Sequence, residues 1–229
     1  MDISKLNEYW KDTANSLTSA YDALGLTILH TKSCADYYYD NPKHSRTLDQ
    51  KCHDIFEGTY AELLVTIAAN RRDLKISANA RLFTTTPDNG TDISIFLDKY
   101  ALKSTHFQLK STYGDNAMTF TISLKNQYSL EKFFSNCMHD RKVLICNYAR
   151  SKFYEMAYAD FLNAKTSKYD RSSKYVFYDN LKPYSLFNDV LTPDEFKLAY
   201  CNPWLHAYDN VLNHKKTSDL TTISRSTHL

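Results

Sequence analysis

The spacing of hydrophobic residues predicts two helices in the first third of the chain. Apolar residues recur at three-, four- and seven-residue steps over residues 3–24, which predicts an amphipathic helix that ends at Gly25. The helical period returns over residues 48–70. Between these helices, residues 35–46 combine consecutive tyrosines with an Asn-Pro pair, and this composition is typical of a loop.

The period changes from that of a helix to that of a strand after residue 73. Apolar and polar residues alternate over residues 74–80, as in a strand with one buried face. A turn with the composition Thr-Pro-Asp-Asn-Gly follows at residues 86–90. Further strands are predicted at residues 91–97, 106–109, 118–124 and 143–146, and a helix at residues 128–138.

The remainder of the chain, from residue 151, is rich in tyrosine and has a mostly helical pattern. Within it, residues 192–195 form a helix start, with Thr as N-cap, Pro at the first position and Glu three residues after the cap. The sequence therefore predicts an α/β protein in three parts. These are an N-terminal helix and loop (residues 1–47), an α/β core (residues 48–150) and a helical extension (residues 151–229).

Composition excludes several classes of protein. The 229 residues are 43% hydrophobic and 24% charged, which is typical of a globular chain and excludes extended disorder. Only four glycines occur, and neither GxGxxG nor GxxxxGK[ST] is present, so the usual glycine-rich phosphate loops are excluded. The net charge of +2 gives no strong overall attraction to nucleic acid but permits a local basic site.

The amino terminus and the cysteines predict a cytoplasmic protein that does not enter a membrane. The first eight residues lack the basic start and apolar stretch of a signal peptide. No stretch approaches the roughly 18 consecutive apolar residues of a membrane span. The five cysteines are scattered and form no CxxC pair, so we expect free thiols in a reducing compartment.

Polar residues that suit a metal site lie on two neighbouring predicted strands. Asp92 lies at the head of one strand, while Gln108 and Lys110 are two residues apart on the next and share a face. The Asp92 carboxylate, the Gln108 side-chain carbonyl and the Leu109 main-chain carbonyl are oxygen ligands, which Mg²⁺ prefers. Lys110 would then stabilise charge on a phosphate. Glu62, on the preceding helix, is a further candidate carboxylate.

The short pattern of an acid or Gln two residues before Lys is not specific by itself. It occurs at Asp49, Asp73, Gln108, Asp140 and Glu195. Only at Gln108 does it fall within a predicted strand that follows another strand headed by an acid. Each residue taken singly also has an ordinary structural explanation. Asp92 could cap a turn, Lys110 could be an exposed strand residue, and Glu62 could be a solvated helix residue. Their joint order favours a shared site.

The order of helix Glu, strand-head Asp and strand Gln-x-Lys resembles the PD-(D/E)xK nuclease superfamily in its QxK variant. The resemblance covers about residues 48–147, and its signature blocks are residues 61–65, 90–93 and 107–112. It is similar to small bacterial members of the superfamily. Gln108 replaces the acid that is usual there, which weakens one metal ligand.

This resemblance implies a restriction endonuclease-like three-layer core with a mixed central sheet, to which the N-terminal helix and the helical C-terminal extension are added. It also implies a Mg²⁺-dependent endonuclease that hydrolyses DNA, with Mn²⁺ as a possible substitute. The implied metal ligands are Asp92, Gln108, the Leu109 carbonyl and Glu62, and Lys110 is the implied catalytic cation.

The same resemblance implies a role in restriction or phage defence, and a homodimer would suit the cutting of both strands. Two alternatives remain open on the same core. One is a non-catalytic module of nuclease fold that binds nucleic acid or a partner protein without cutting. The other is an RNA-directed toxin nuclease.

Overall fold

The structure, a computed structural model, describes seven segments of the chain. These are residues 3–34, 47–78, 92–97, 104–115, 117–121, 141–166 and 173–205. The predicted loop at residues 35–46, the predicted turn at residues 86–90 and the predicted helix at residues 128–138 lie outside the described residues.

Two helices occupy the N-terminal region, α1 (Ile3–Asn15) and α2 (Ala20–Cys34). The prediction of one helix that ends at Gly25 is therefore wrong. Residues 16–19 separate the two helices, and the Ser19 hydroxyl accepts a hydrogen bond from the Asp22 N–H in the first turn of α2. Gly25 lies on an exposed side of α2, where an added Cβ would meet nothing within 4 Å.

The central helix, α3 (Leu48–Asn70), has the predicted bounds. It begins with a capping box in which the Thr47 hydroxyl accepts from the Gln50 N–H and the Gln50 side chain accepts from the Thr47 N–H. Both the sheet and α2 pack on it, so α3 is buried on most of its circumference. None of the described helices is long and apolar enough to cross a membrane.

In the described segments, nine strands form two sheets. The strands are β1 (Lys75–Ala78), β2 (Ile93–Phe96), β3 (Ser104–Thr112), β4 (Ala117–Thr121), β5 (Arg141–Asn147), β6 (Lys152–Met156), β7 (Lys165–Thr166), β8 (Ser173–Phe177) and β9 (Lys182–Pro183). The larger sheet has the order β1-β2-β3-β5-β6-β9, and the smaller has the order β4-β8-β7. Within the larger sheet β3 and β5 are parallel and every other pair is antiparallel, which confirms a mixed α/β fold.

The C-terminal segment corrects the prediction of a mostly helical extension. Its described residues, 151–166 and 173–205, contain β6 to β9, two short α-helices, α4 (Tyr158–Asn163) and α5 (Pro193–Lys197), and 3₁₀ turns at Tyr178–Asn180, Ser185–Phe187 and Leu198–Cys201. Its aromatic residues favour strands, and β6 is buried on both faces, so it lacks the polar alternation of a half-exposed strand. The predicted helix start at Thr192 is confirmed, with its capping box.

The two faces of the larger sheet have different partners. Successive strand residues point to opposite faces. The α3 face carries the residues that pack with α3, namely Ile93, Ile95, Phe107, Leu109, Leu144, Cys146 and Phe153. The opposite face, here called the distal face, carries Val143, Ile145, Tyr154 and Met156, which pack with Phe161, Val176, Tyr178 and Leu181. The α4 helix and the smaller sheet therefore cover part of the distal face.

Candidate active site

Asp92 and Gln108 lie together on the distal face of the larger sheet. Asp92 immediately precedes β2 and is 9% exposed. Its carboxylate oxygen Oδ2 accepts one hydrogen bond from Gln108 Nε2 and a second from the Leu109 main-chain N–H, both at 2.6 Å. The structure thus brings three of the predicted site residues into direct contact.

The end of the β2–β3 ladder explains this contact. Ile93, the first residue of β2, is paired with Phe107, and the Asp92 N–H donates to the Phe107 carbonyl at 3.0 Å. Leu109 lies beyond this register, and the Asp92 carboxylate accepts its N–H. Because a buried main-chain donor needs an acceptor, the Asp92 carboxylate also has a structural function at this position.

The oxygen atoms at this point of the sheet are ligands that a hard cation binds. In this arrangement the Gln108 amide presents nitrogen to Asp92, and a half turn of the same planar group presents its oxygen. The Leu109 carbonyl leaves the strand on the same side as the Leu109 N–H, since a strand residue directs both groups to one neighbour. A carboxylate, an amide and a main-chain carbonyl are ligands of the kind that Mg²⁺ accepts together with water.

Carboxylates alone do not build this site. Within the part of the chain that the structure describes, no group of three or more His, Cys, Asp or Glu side chains could hold a metal ion. A cation at Asp92 would therefore depend on amide oxygen, main-chain oxygen and water for most of its ligands.

Lys110 shares the distal face with Gln108, two residues further along β3. It is partly buried and is paired in register with Ile145 of β5. No described residue forms a hydrogen bond or an ion pair with its ammonium group. The Lys110 charge is therefore not neutralised by the described part of the protein and is suited to an anionic ligand.

Glu62 lies on a different side of α3 from the sheet. Positions 59, 62 and 66 fall within about 60° of one another on a helix. Thr59 of this group is hydrogen-bonded to His30 of α2 at 3.0 Å, and the Thr66 hydroxyl donates to the Glu62 carbonyl at 3.0 Å. Tyr60, whose ring stacks on the tyrosine after β5, points about 160° away from Glu62. An accessory role for Glu62 in the site stays a prediction.

Two further polar residues flank the predicted site. His106 precedes Gln108 by two residues on the distal face, and its ring nitrogens lie 2.7 Å from Ser94 Oγ and 3.4 Å from Ser104 Oγ. Arg150 follows β5 and was not predicted from the sequence, because it falls in a turn with no motif. Its position could have indicated it, since Arg150 lies three residues after the end of β5, the strand parallel to β3, and α/β sheets bind ligands at this end of their strands.

Comparisons with known proteins give no relatives for this chain. No protein-family model matches the sequence. No curated protein matches it, and no solved structure matches the fold. A functional assignment therefore depends on the chain's own residues.

Proposed function

We propose that the protein is a Mg²⁺-dependent endonuclease that hydrolyses phosphodiester bonds of DNA. The observation that carries this proposal is the convergence of Asp92, Gln108 and Leu109 at one point of the sheet, with Lys110 on the same face. An oxygen-rich cation site beside an unneutralised lysine is a combination that can catalyse phosphodiester hydrolysis.

The order of the strands supports a restriction endonuclease-like core for this proposal. The chain runs from α3 through β1, β2 and β3, and then reaches β5, which lies beside β3 and parallel to it. A parallel pair needs a crossover connection of a dozen or more residues, and residues 113–140 supply one. A mixed sheet with α3 packed on one face agrees with the mixed central sheet that the sequence resemblance implies.

The proposed roles follow from the contacts. Asp92, the Gln108 amide oxygen and the Leu109 carbonyl would hold the ion, and Asp92 is fixed in place by the Leu109 N–H. Bound Mg²⁺ supplies a Lewis acid for the phosphate and a water of lowered pKa. Lys110 would stabilise the negative charge that develops on the phosphate oxygens, as preorganised cations do in other sites.

A second candidate function is a nuclease-like module that binds nucleic acid or a partner protein without cutting. The specific observation in its favour is that Oδ2 of the Asp92 carboxylate already accepts hydrogen bonds from Gln108 Nε2 and the Leu109 N–H without a cation. This arrangement suits an Asp92 whose function is to complete the β2–β3 ladder. The two candidates differ in one property, the hydrolysis of phosphodiester bonds in the presence of Mg²⁺.

The test is a cleavage assay on the full chain with plasmid DNA, single-stranded DNA and RNA, with Mg²⁺ or with a chelator. We expect Mg²⁺-dependent cutting of DNA, its loss in Asp92→Ala, and a rate reduced by about 10²-fold in Lys110→Ala with little change in binding. Lys197→Ala removes an exposed lysine whose ion-pair partner is the exposed Asp194, so it is the matched control and should cut normally.

The outcomes separate the candidate functions. Normal cutting by Asp92→Ala would exclude the proposed site. Binding of DNA without cutting under any metal condition would favour the non-catalytic module, and preferential cutting of RNA would favour an RNA-directed nuclease. A homodimer and a role in restriction or phage defence belong to the same proposal. Sedimentation of the full chain with and without a DNA duplex tests the dimer.

A further inference from the structure

Arg150 is held in one orientation at the carboxyl end of β5. Its main-chain N–H donates to Asn147 Oδ1 at 2.9 Å, and its Nε donates to the Asp115 carbonyl. One guanidinium nitrogen, Nη1, lies 2.6 Å from Asp179 Oδ1. The guanidinium carbon lies 5.5 Å from the centre of the Tyr178 ring, within the range of a cation–π contact. The guanidinium plane is therefore fixed from several sides.

This guanidinium lies on the same side of the sheet as Lys110. Tyr178 packs on the distal face, where its ring centre is 5.4 Å from that of Tyr154 on β6. Tyr154 is paired with Ile145, which is in turn paired with Lys110. Adjacent strands are about 4.8 Å apart, so Lys110 and Tyr154, which are two strands apart, are separated by roughly 10 Å across the sheet.

Arg150 keeps hydrogen-bonding capacity for a ligand. A guanidinium has five N–H donors, and the described residues that accept from it are Asp115, through its carbonyl, and Asp179, while the Tyr154 hydroxyl lies nearby. The Asp179 side chain is 80% exposed. A pair with so exposed a carboxylate contributes little to stability, so another anion can replace the carboxylate at small cost.

The ring below the guanidinium carries a hydroxyl that is also poorly satisfied. Tyr178 is fully buried, and no described residue makes a well-formed hydrogen bond with its hydroxyl. Burial raises the pKa of Tyr178 to about 12, while the nearby Thr112 hydroxyl and Arg150 oppose that rise. Thr112 is the next distal-face residue after Lys110 on β3. The end of the distal face therefore joins Lys110, Thr112 and Arg150 in one polar strip.

We propose that Arg150 binds a second phosphate of the DNA strand whose scissile phosphate lies at Asp92 and Lys110. The identity of that strand rests on the proposed function. Arg150 follows β5 and lies over the Tyr178 ring, on the opposite side of β3 from Asp92, so it would contact a different phosphate from the one at Asp92 and Lys110. A planar guanidinium suits a two-point contact with phosphate better than lysine does. Tyr178 is a positioning residue that supports the guanidinium from below.

The experiment measures binding separately from cutting. A fluorescein-labelled DNA duplex is titrated with the full chain in EDTA, at several salt concentrations, by anisotropy. We expect Arg150→Ala to weaken binding by about tenfold and to reduce the slope of log K against log salt by about one, the effect of a lost phosphate contact. Arg150→Lys should keep the slope and lose part of the affinity. Lys197→Ala, the exposed control, should bind like the parent chain.

Two more variants separate a phosphate contact from a structural ion pair. Asp179→Asn removes the competing carboxylate and should tighten binding, whereas a merely structural pair predicts weaker binding or no change. Tyr178→Leu removes the supporting ring and should weaken binding, and Tyr178→Phe, which keeps the ring, should restore it. The unfolding midpoint of each variant in urea shows whether it is folded under the conditions of the titration.

The proposal is overturned if folded Arg150→Ala binds with unchanged affinity and salt slope, if Asp179→Asn weakens binding or leaves it unchanged, or if the parent chain binds no duplex. Failure of the proposed function has a different signature. In that case binding depends on Arg150, but no nucleic acid is cut with Mg²⁺, and the phosphate contact belongs to a binding module.

Discussion

The exchange of Gln108 for glutamate distinguishes a metal site from a purely structural hydrogen bond. In the structure the Gln108 amide donates to the Asp92 carboxylate at 2.6 Å. Gln108→Glu removes that donor and places a second carboxylate against the first. Without a cation the two carboxylates repel each other, and with a bound divalent cation both become ligands. The same substitution should therefore destabilise the metal-free protein and strengthen its response to Mg²⁺ or Mn²⁺.

The magnitude follows from the contact. Two unit charges about 4 Å apart repel by about 4 kcal/mol at an effective dielectric constant of 20. Uptake of a proton by one carboxyl limits this cost, because a like charge raises the pKa of its neighbour. The lost hydrogen bond to a charged group contributes about 1.5–3 kcal/mol. We expect a net loss of about 2–3 kcal/mol in EDTA, which lowers Tm by about 4–12 °C in a chain of this size.

The assay is thermal unfolding of the parent chain, Gln108→Glu and Gln108→Met in EDTA and in Mg²⁺. Gln108→Met is the matched control, since it keeps the length of the side chain without its charge or its hydrogen bond. A cation at one hundred times its Kd stabilises by about 2.7 kcal/mol, so Mg²⁺ should restore most of the Tm lost by Gln108→Glu and little of that lost by Gln108→Met. Equal Mg²⁺ shifts in all three chains would refute a metal site at Asp92 and Gln108.

Three further predictions concern stability. Burial raises the pKa of Glu195, but hydrogen bonds from Arg71 and the Thr192 cap lower it by more, so the folded pKa lies below the usual value. The ionised Glu195 therefore stabilises the fold at pH values above its unfolded pKa, and this stabilisation is lost as the pH falls through its folded pKa. In urea unfolding at a series of pH values, the midpoint of Glu195→Gln should fall less steeply towards acid pH than that of the parent chain. Tyr148→Phe loses a 2.6 Å hydrogen bond to a main-chain carbonyl and should lower the free energy of unfolding by about 1–3 kcal/mol. Tyr178→Phe removes a hydroxyl without a well-formed hydrogen bond to any described residue, so it should leave that free energy unchanged or raise it. Equal losses for the two variants in urea unfolding would contradict this. Trp204→Ala should lower the free energy of unfolding by about 2–3 kcal/mol, since the partly buried ring packs 6.3 Å from a core phenylalanine.

The central helix and the strands that follow it could be predicted because their hydrophobic periods are distinct. In α3 the apolar period extends over 23 residues, and the strands at residues 93–96 and 104–112 alternate between buried and partly buried positions. The contact between Asp92 and Gln108 could be anticipated for the same reason, since both lie at defined positions on neighbouring strands. A motif of two residues alone would not have separated Gln108 from the four other positions where it occurs.

The break between α1 and α2 could not be predicted from periodicity. Both helices direct apolar residues to one core, so the same spacing continues across the break. The signal lies in Ser19, whose hydroxyl caps α2, and a single serine among many polar residues does not stand out. The side of α3 on which Glu62 lies could not be predicted either. Residues on both sides of this helix are buried, so the apolar pattern does not show which side contacts the sheet.

The C-terminal segment is part of the same core that holds the candidate site. β6 and β9 extend the sheet that contains β3, and Tyr184 packs edge-on against Phe107, the residue before Gln108, with ring centres 5.4 Å apart. Arg71, at the end of α3, forms an ion pair with Glu195 of α5 at 2.6 Å. The contacts of Tyr184 with Phe107 and of Glu195 with Arg71 each join residues more than 70 positions apart, so the sequence shows neither of them. Both α3 and the C-terminal segment therefore pack on the same face of the strand that carries Gln108 and Lys110. A substitution in that segment can move the site without touching it, so loss of activity there identifies a catalytic residue only where the unfolding midpoint is unchanged.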